Sequence, residues 1–376
     1  MKIVIKTTDQ MTKKEKTEWE YLESDDKLGA FHSSIYWNTM INYTEETPQF
    51  IFMIIEKNKV KLGFLFDQFD SNVSDHYNLD KILSGYNSYF DIECLYRIEH
   101  VHNPVNVLTN RASTCFDVRF DKELSFERKC KLFSYALEFF ESQNIPFCFQ
   151  YVPKNNRVVM HVLNKFGYIE VKQGFRYYIE NIGLEEYLKL FKSARRKSIK
   201  KEINKLKSDD FEIKEIRNIK EIDFFVEFIK NNFEKHGFQN FDKEFAKKRI
   251  VSLYNTMNNN FNIHFLYKKN QLIGGIEFFI YKKVLYCYMI GFDYEKLEKK
   301  DFAYYILGYY HMIEYAKSLQ AVQYIQYYDG MDKTKRERKL KKELLSCYVN
   351  SKYIDENSIC NIEIINKKIE VEDREI

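Results

Sequence analysis

The sequence predicts an α/β (α+β) protein built from two tandem domains of similar fold, each a mixed, mostly antiparallel sheet flanked by helices. Three observations predict this. The chain has 376 residues, 45% hydrophobic and 30% charged, which is more than one ordinary core needs and enough to fill two. Short apolar runs of strand character alternate along its whole length with amphipathic helical stretches. Finally, one unit recurs. FSYALEFFESQNIPFCFQYV (133–152) aligns without gaps to YYHMIEYAKSLQAVQYIQYY (309–328), with Glu138/Glu314, Ser142/Ser318, Gln150/Gln326 and Tyr151/Tyr327 identical. Both copies read helix, short turn, strand, and an internal repeat argues for tandem domains, here 1–175 and 176–376.

Residues 2–6 read as a first strand and Lys13–Leu22 as a short helix. Residues 31–43 form a helix with Ile35, Met40 and Ile41 on its apolar face and Ser33 or Ser34 as N-cap. Residues 49–69 are two apolar runs around Lys57-Asn58-Lys59, a hairpin by its polar turn. A strand lies within Leu108–Phe120. Phe126–Ser142 has helical period, with Phe133, Ala136, Leu137 and Phe140 on one face. Ile145–Val152 is a strand, and Arg157–Phe166 is a helix closed by Gly167. Another strand starts at Tyr168. Tyr187–Lys207 is a basic helix, followed by amphipathic helices at 222–236 and 242–256. Asn262–Tyr267 is a strand, and Gln271–Tyr281 with Val284–Gly291 forms a hairpin around Lys282-Lys283. After the second copy of the repeat come a charged helix, Lys333–Leu345, and a strand pair around Asn366-Lys367-Lys368.

The formal charge is +4, so nucleic-acid contact must come from a local patch and not from a global basic field. The seven cysteines are odd in number, irregularly spaced and without a CxxC pair. This fits reduced thiols in a cytoplasmic protein better than a disulfide framework or a zinc site. No stretch reaches the ~18–20 apolar residues of a membrane span, and the N-terminal run Ile3–Ile5 is too short for a signal peptide. GxSxG, Walker, HExxH and Rossmann patterns are missing. The eight histidines show no metal-ligand spacing beyond His100-x-His102, so no metal is expected. The 32 Phe and 29 Tyr read as core filling.

Three places could carry chemistry. From Lys192 to Lys207, eight cations (Lys192, Arg195, Arg196, Lys197, Lys200, Lys201, Lys205 and Lys207) stand against one acid, Glu202. Like charges four residues apart destabilise an isolated helix by ~0.2–0.5 kcal/mol per pair, and a helix that keeps them is suited to phosphate. A solvated face balanced by acids elsewhere is the simpler alternative. The second place is YIQYYDGMDKTKRERK (324–339). There Gly330 permits a tight turn, Asp329 and Asp332 can cap a helix, and Lys333, Lys335 and Arg336 follow. The third is Glu277, an acid inside an apolar strand beside Gly274 and Gly275. It lies either on an exposed face, the simpler reading, or in a cleft as base or binder.

Three stretches resemble the FemAB-like (peptidoglycan biosynthesis/recognition) family of the GNAT acyltransferase superfamily. SARRKSIKKEINKL (193–206) is similar to that family's S-x-x-R-K-x-I-x-K-E run. LYCYMIG (285–291) with YYHMIEYAK (309–317) resembles its strand and YYxxIxYA helix. Gly330, Lys333 and Arg336 fit its G-x-H-K-x-x-R turn, with Asp332 where histidine is usual. The resemblance covers about 180–345 and, more loosely, 30–65. It implies two GNAT-like domains and transfer of an acyl or aminoacyl group to an amine of a peptide, cell-envelope precursor or natural product. YEKLEKKDFAYYIL (294–307) lacks every glycine of the loop that wraps CoA pyrophosphate, which favours a phosphate-rich donor such as aminoacyl-tRNA. On this reading Lys333 stabilises the donor's terminal phosphate or the oxyanion. Arg195, Arg196 and Lys200, flanked by Lys197, Lys201 and Arg336, hold the donor backbone. Asp329, Tyr328 or Glu277 positions the acceptor amine. Two other readings stay open: an N-acyltransferase dependent on acyl-CoA or acyl-carrier protein, and a catalytically silent GNAT pair acting as a recognition module.

Overall fold

The computed structural model describes residues 1–44, 48–69, 107–109, 116–143, 147–206, 211–237, 240–298, 301–328 and 332–374. The chain divides into two compact units, Met1–Arg176 with Lys342–Ile376, and Tyr177–Lys341.

In the first unit, strands β1 (Lys2–Lys6), β3 (Gln49–Glu56), β4 (Lys59–Phe69), β6 (Val118–Phe120) and β2 (Glu23–Ser24) lie side by side in that order, with β5 (Val107–Thr109) also on β4. The β3–β4 hairpin turns at Lys57 and Asn58, both left-handed with φ of 50° and 59°. Helices α1 (Lys13–Tyr21), α2 (Ile35–Thr44), α3 (Phe126–Ser142) and α4 (Arg157–Lys165) accompany these strands. Each start is capped by a side chain. Thr12 and Glu15 form a reciprocal capping box, Ser34 accepts from the Trp37 amide at 3.1 Å, and Ser125 and Asn156 cap α3 and α4. Each such cap contributes about 1 kcal/mol. Gly167 ends α4 with φ 74°, a left-handed position that suits glycine. The aromatic residues fill the core, where Phe52, Phe64, Phe133, Phe140, Phe147 and Phe149 form one buried cluster.

β7 (Cys148–Pro153) pairs antiparallel with β14 (Lys341–Asn350). The helix expected over Lys333–Leu345 therefore stops at Glu337. Lys339 turns the backbone with φ 60°, and Leu345, Cys347, Tyr348 and Val349 are buried as a strand. The strand pair expected in the tail is instead one helix, Glu356–Arg374. Ile362, Ile365 and Ile369 recur at helical spacing and are buried. Asn366 anchors it to the strand β8 (Tyr168–Glu180), accepting from the Lys172 amide at 2.8 Å. These pairings group 342–376 with the first unit, whereas the sequence division placed them with the second.

A buried polar network also holds the first unit. Arg176 is fully buried and forks onto Asp26 at 2.7 and 2.5 Å, while its Nε donates to Glu343 at 2.9 Å. Asp117 accepts from Ser24 and Ser33, and Ser33 in turn accepts from Arg119 at 2.7 Å. Burial, with the negative charge of Asp26, pushes Asp117 up to about 6. Burial, with the positive charge of Arg176, pulls His32 down to about 3.

In the second unit the order runs from the last residues of β8 through β13 (Tyr324–Gln326), β12 (Val284–Phe292), β11 (Gln271–Tyr281) and β10 (Phe261–Lys268) to β9 (Phe211–Glu215). The expected basic helix is two helices, α5 (Gly183–Lys189) and α6 (Ser193–Leu206). α7 (Ile222–Lys235) and α8 (Lys243–Met257) follow. A helical stretch then runs through α9 (Ala303–Tyr305), a π-helical segment Ile306–His311, and α10 (Met312–Ser318). Next comes the short α11 (Asp332–Glu337). Gly291 allows close packing here, because a Cβ on it would lie 2.3 Å from the backbone of Phe228 in α7. Gly274 and Gly275 likewise admit the rings of Phe292, Phe225 and Phe265. Neighbouring aromatic side chains thus fill the space beside these two glycines.

Candidate active site in the second unit

β12 and β13 run parallel and pair at three positions, Val284↔Tyr324, Leu285↔Ile325 and Tyr286↔Gln326. Past Gln326 the chain stays with β8, where the Tyr327 amide donates to Tyr177 O at 2.8 Å and the Tyr177 amide to Tyr328 O at 3.0 Å. β12 continues to Phe292 without it. The two central strands therefore part at Tyr286 and Gln326, as open sheets do where a ligand enters.

The register of β11 and β12 slips at the same level. Glu277 faces Met289 and Phe278 faces Cys287, so Tyr288 is an extra residue in β12. Such bulges re-aim side chains beside active sites. The ring of Tyr288 meets that of Tyr328 edge-on at 5.3 Å and lies under the guanidinium of Arg249 at 4.8 Å. Arg249 comes from α8 and forks onto Glu277 at 2.7 and 2.6 Å. Glu277 is 0% exposed, so the exposed-face reading of this acid is wrong. β11 is covered on both faces, and strand alternation says nothing about exposure in such a strand. Burial works against the charge on Arg249, but Glu277, Tyr288 and Tyr328 outweigh it and hold its pKa above the ordinary arginine value. Burial raises the Tyr328 hydroxyl well above the usual tyrosine range.

Tyr328 has φ 52°, and a buried lysine fixes that turn. Lys335 donates to the carbonyls of Tyr327 at 2.6 Å and Tyr328 at 3.1 Å, and its ammonium lies 5.3 Å from the Tyr177 ring. A second buried network sits below α6. Glu202 accepts from Tyr310 at 2.5 Å and from Arg338 at 3.1 Å, and Arg338 lies 3.8 Å over the Tyr305 ring. The one acid of the basic helix is thus its inward anchor.

The cations of α6 divide. Lys197, Lys200 and Lys201 are exposed and make no ion pair among the described residues. Arg195 is half-exposed, 3.8 Å from Glu202. Arg196 donates to the Phe191 carbonyl at 2.9 Å and so closes the link between α5 and α6. Lys333 is exposed on α11 and Arg336 is half-buried. Asp329 and Gly330 lie outside the described residues, as do His100 and His102. The sequence reading missed Arg249, Tyr288, Arg338 and Tyr310, and named Lys335 without giving it a role. Arg249 did leave a signal, since it shares the buried face of α8 with Ala246, Ile250 and Leu253. A charge on an apolar helical stripe calls for a buried partner. Among the described residues no group of three or more His, Cys, Asp or Glu could hold a metal ion. No described helix is long and apolar enough to cross a membrane.

Residues 193–336 match the acetyltransferase (GNAT) domain family. The match begins with α6 and ends within α11, enclosing every residue singled out above for donor binding or catalysis. Among solved structures, FemX is similar at 10% identity, covering 92% of this chain and 97% of its own, with a TM-score of 0.59. A conserved protein of unknown function from Bacteroides thetaiotaomicron VPI-5482 is similar at 16% identity, covering 92% and 99%, with a TM-score of 0.53. No curated protein matches the sequence. Both structural likenesses extend over nearly the whole chain and show that its fold is like that of FemX, while the acetyltransferase (GNAT) domain match falls in the second unit, over residues 193–336.

Proposed function

We propose that this protein is an N-acyltransferase whose second unit forms an amide bond on an acceptor amine, and that the acyl group arrives as an aminoacyl ester on tRNA. The observation that carries the donor assignment is the row Lys197, Lys200 and Lys201, exposed and without ion pairs among the described residues. Its helix is anchored from the other side by Glu202 and Arg338. Fixed cations of this kind suit a polyphosphate backbone. The missing glycines at 294–307 count against CoA as donor.

The chemistry needs a neutral amine, a stabilised oxyanion and a proton route to the departing ribose oxygen. In this proposal Lys333 meets the donor's terminal phosphate or the oxyanion, with Gly330 and Arg336 shaping that turn. Arg195, Arg196 and Lys200 hold the donor backbone. Both oxygens of Glu277 are occupied by Arg249, so Glu277 acts through Arg249 to fix Tyr288. Tyr328 and Asp329 position the amine. The acceptor class is a peptide, a cell-envelope precursor or an amine-bearing natural product.

The test is binding of charged tRNA across a salt series. Replacing Lys197, Lys200 and Lys201 with Glu should lower the slope of log K against log salt by about 2–3, at ~0.7–0.9 for each phosphate no longer neutralised. An unchanged slope, or acyl-CoA retained on the purified protein in place of RNA, would overturn the tRNA reading.

A further inference from the structure

The first unit is discontinuous in sequence. Its last part, Lys342–Ile376, returns after the whole of the second unit and rejoins Met1–Arg176. At the start of that return β14 pairs with β7, and the register slips there. Two residues of β7, Gln150 and Tyr151, stand opposite Cys347 alone, and Tyr151 is left-handed with φ 57°. A bulge of this kind bends its strand and re-aims side chains. At this bulge the sulfur of Cys347 lies 3.0 Å from that of Cys148.

Both thiols are free and buried. Their separation is about 1 Å more than the ~2.05 Å of a disulfide bond, so a small approach of the two side chains closes it. Cys130, Cys287 and Cys360 are also free and make no sulfur–sulfur contact among the described residues. Two small apolar side chains would fill the space between β7 and β14 equally well. Only two thiols there can join the two separated parts of the first unit covalently.

We propose that Cys148 and Cys347 are a thiol–disulfide clasp that fastens the returning segment 342–376 to the rest of the first unit. The oxidant is a low-molecular-weight disulfide. The thiolate of one cysteine attacks it, one small thiol leaves, and a mixed disulfide remains on the protein. The other cysteine then gives up its proton, and its sulfur attacks the protein sulfur of that mixed disulfide and releases the second small thiol. Two cysteine thiols are oxidised, one small disulfide is reduced to two thiols, and both protons end on those thiols. Burial, with the adjacent Cys148 sulfur, raises Cys347 well above the ordinary thiol range, and the thiolate is the nucleophile. The reaction therefore waits for β14 to part locally from β7, and the closed bond is shielded from reductants in the same way. The clasp spans 199 positions and so closes a loop of chain that contains the entire second unit. Long loops give the largest reduction of unfolded-state entropy.

The experiment exposes the full chain to glutathione disulfide, with and without urea well below the unfolding midpoint, and quenches with iodoacetamide. Two of the seven thiols should be lost, faster with urea, and a non-reduced peptide map should join the Cys148 and Cys347 peptides. The oxidised protein should melt roughly 5–10 °C above the reduced one, the gain expected for a disulfide across a long loop in a chain of this size. After a protease cut between 177 and 341, the two outer fragments should travel together on a non-reducing gel and separate with dithiothreitol. Cys347→Ala should lose both the cross-link and the gain in melting temperature; should that variant fail to fold, the wild-type map decides alone. The proposal is overturned if all seven thiols survive in urea, if the link maps to another pair of cysteines, or if glutathione stays on Cys148 or Cys347 as a mixed disulfide. An oxidised protein that melts at or below the reduced one overturns it too.

Discussion

Cutting the Arg249–Glu277 pair from either side should remove a large fraction of the second unit's stability, while replacing both residues should not. The pair makes two charge-assisted hydrogen bonds at 2.7 and 2.6 Å, with Glu277 fully buried and the Arg249 side chain 7% exposed. Glu277→Gln leaves the guanidinium one good acceptor and sets an amide NH2 against its second N–H pair. Arg249→Met leaves a buried carboxylate alone. Each should cost about 3–5 kcal/mol at neutral pH, the range for breaking a buried pair. The double replacement Arg249→Met/Glu277→Leu removes both desolvation penalties and should fall within about 2 kcal/mol of wild type. Summing the singles and subtracting the double then gives a coupling of several kcal/mol, well beyond the ~0.5 kcal/mol within which independent sites add. Urea unfolding at constant m measures all four corners of the cycle. Single variants that cost less than 1 kcal/mol, or a double that is additive, would refute the ion pair as the fixture beneath Tyr288.

Other consequences are as direct. Gly291→Ala places a methyl 2.3 Å from the Phe228 backbone and should cost about 1–3 kcal/mol by forcing α7 off β12, read as a drop in Tm. Arg176→Met strands Asp26 and the largely buried Glu343; a loss of about 3–5 kcal/mol is expected in urea unfolding, and soluble protein of unchanged stability would contradict the network. His264 and His311 are hydrogen-bonded at 2.7 Å. Burial, with the neighbouring His311 charge, lowers His264 to about 3, and burial lowers His311 to about 4, from 6.5. Their folded pKa values lie below the unfolded ones, so the unfolded chain takes up protons first. Stability falls as pH drops from about 6.5 towards 4, by ~1.4 kcal/mol per pH unit for each ring. His264→Gln/His311→Gln should flatten the midpoint-against-pH curve in that window, and an unaltered curve would mean the rings are not held neutral.

How much of this was legible in the sequence depended on whether the signal was local. The two hairpins were readable because Lys57-Asn58 and Lys282-Lys283 break long apolar runs, and Lys57, Asn58 and Lys282 do adopt left-handed backbone. The helix 157–165 and its glycine stop were readable for the same reason. The strand 341–350 was not, because its first residues continue the charged pattern of the preceding turn and its burial comes from pairing with β7, almost two hundred positions earlier. The site divides along the same line. The cations of α6 form a contiguous run and were visible. Glu277 was visible as an anomaly, but its partner Arg249 is 28 residues away on another element, and strand period cannot assign a face where both faces are covered. Lys335 stood in the open as one cation among many. Its burial follows from the carbonyls of Tyr327 and Tyr328, which the left-handed turn presents to it.

The internal repeat shows how four identities in twenty positions can carry structural information. Ser142 and Ser318 stand at the ends of their helices, and each hydroxyl donates back three residues, to Phe139 O and Tyr315 O, at the same 2.7 Å. Gln150 and Gln326 stand in the following strands, each 0% exposed, and the side-chain amide of each has no hydrogen-bond partner among the described residues. Chance retention of an exposed serine says little, since surface positions tolerate most residues. Two fully buried glutamines are different, because an unsatisfied primary amide in an apolar interior costs on the order of 1–3 kcal/mol, and leucine would fill the space without that cost. The same costly residue at the same strand position, after the same helix-closing serine, is better explained by one ancestral unit present twice than by two independent choices. On that argument the first unit is the second unit's structural sibling.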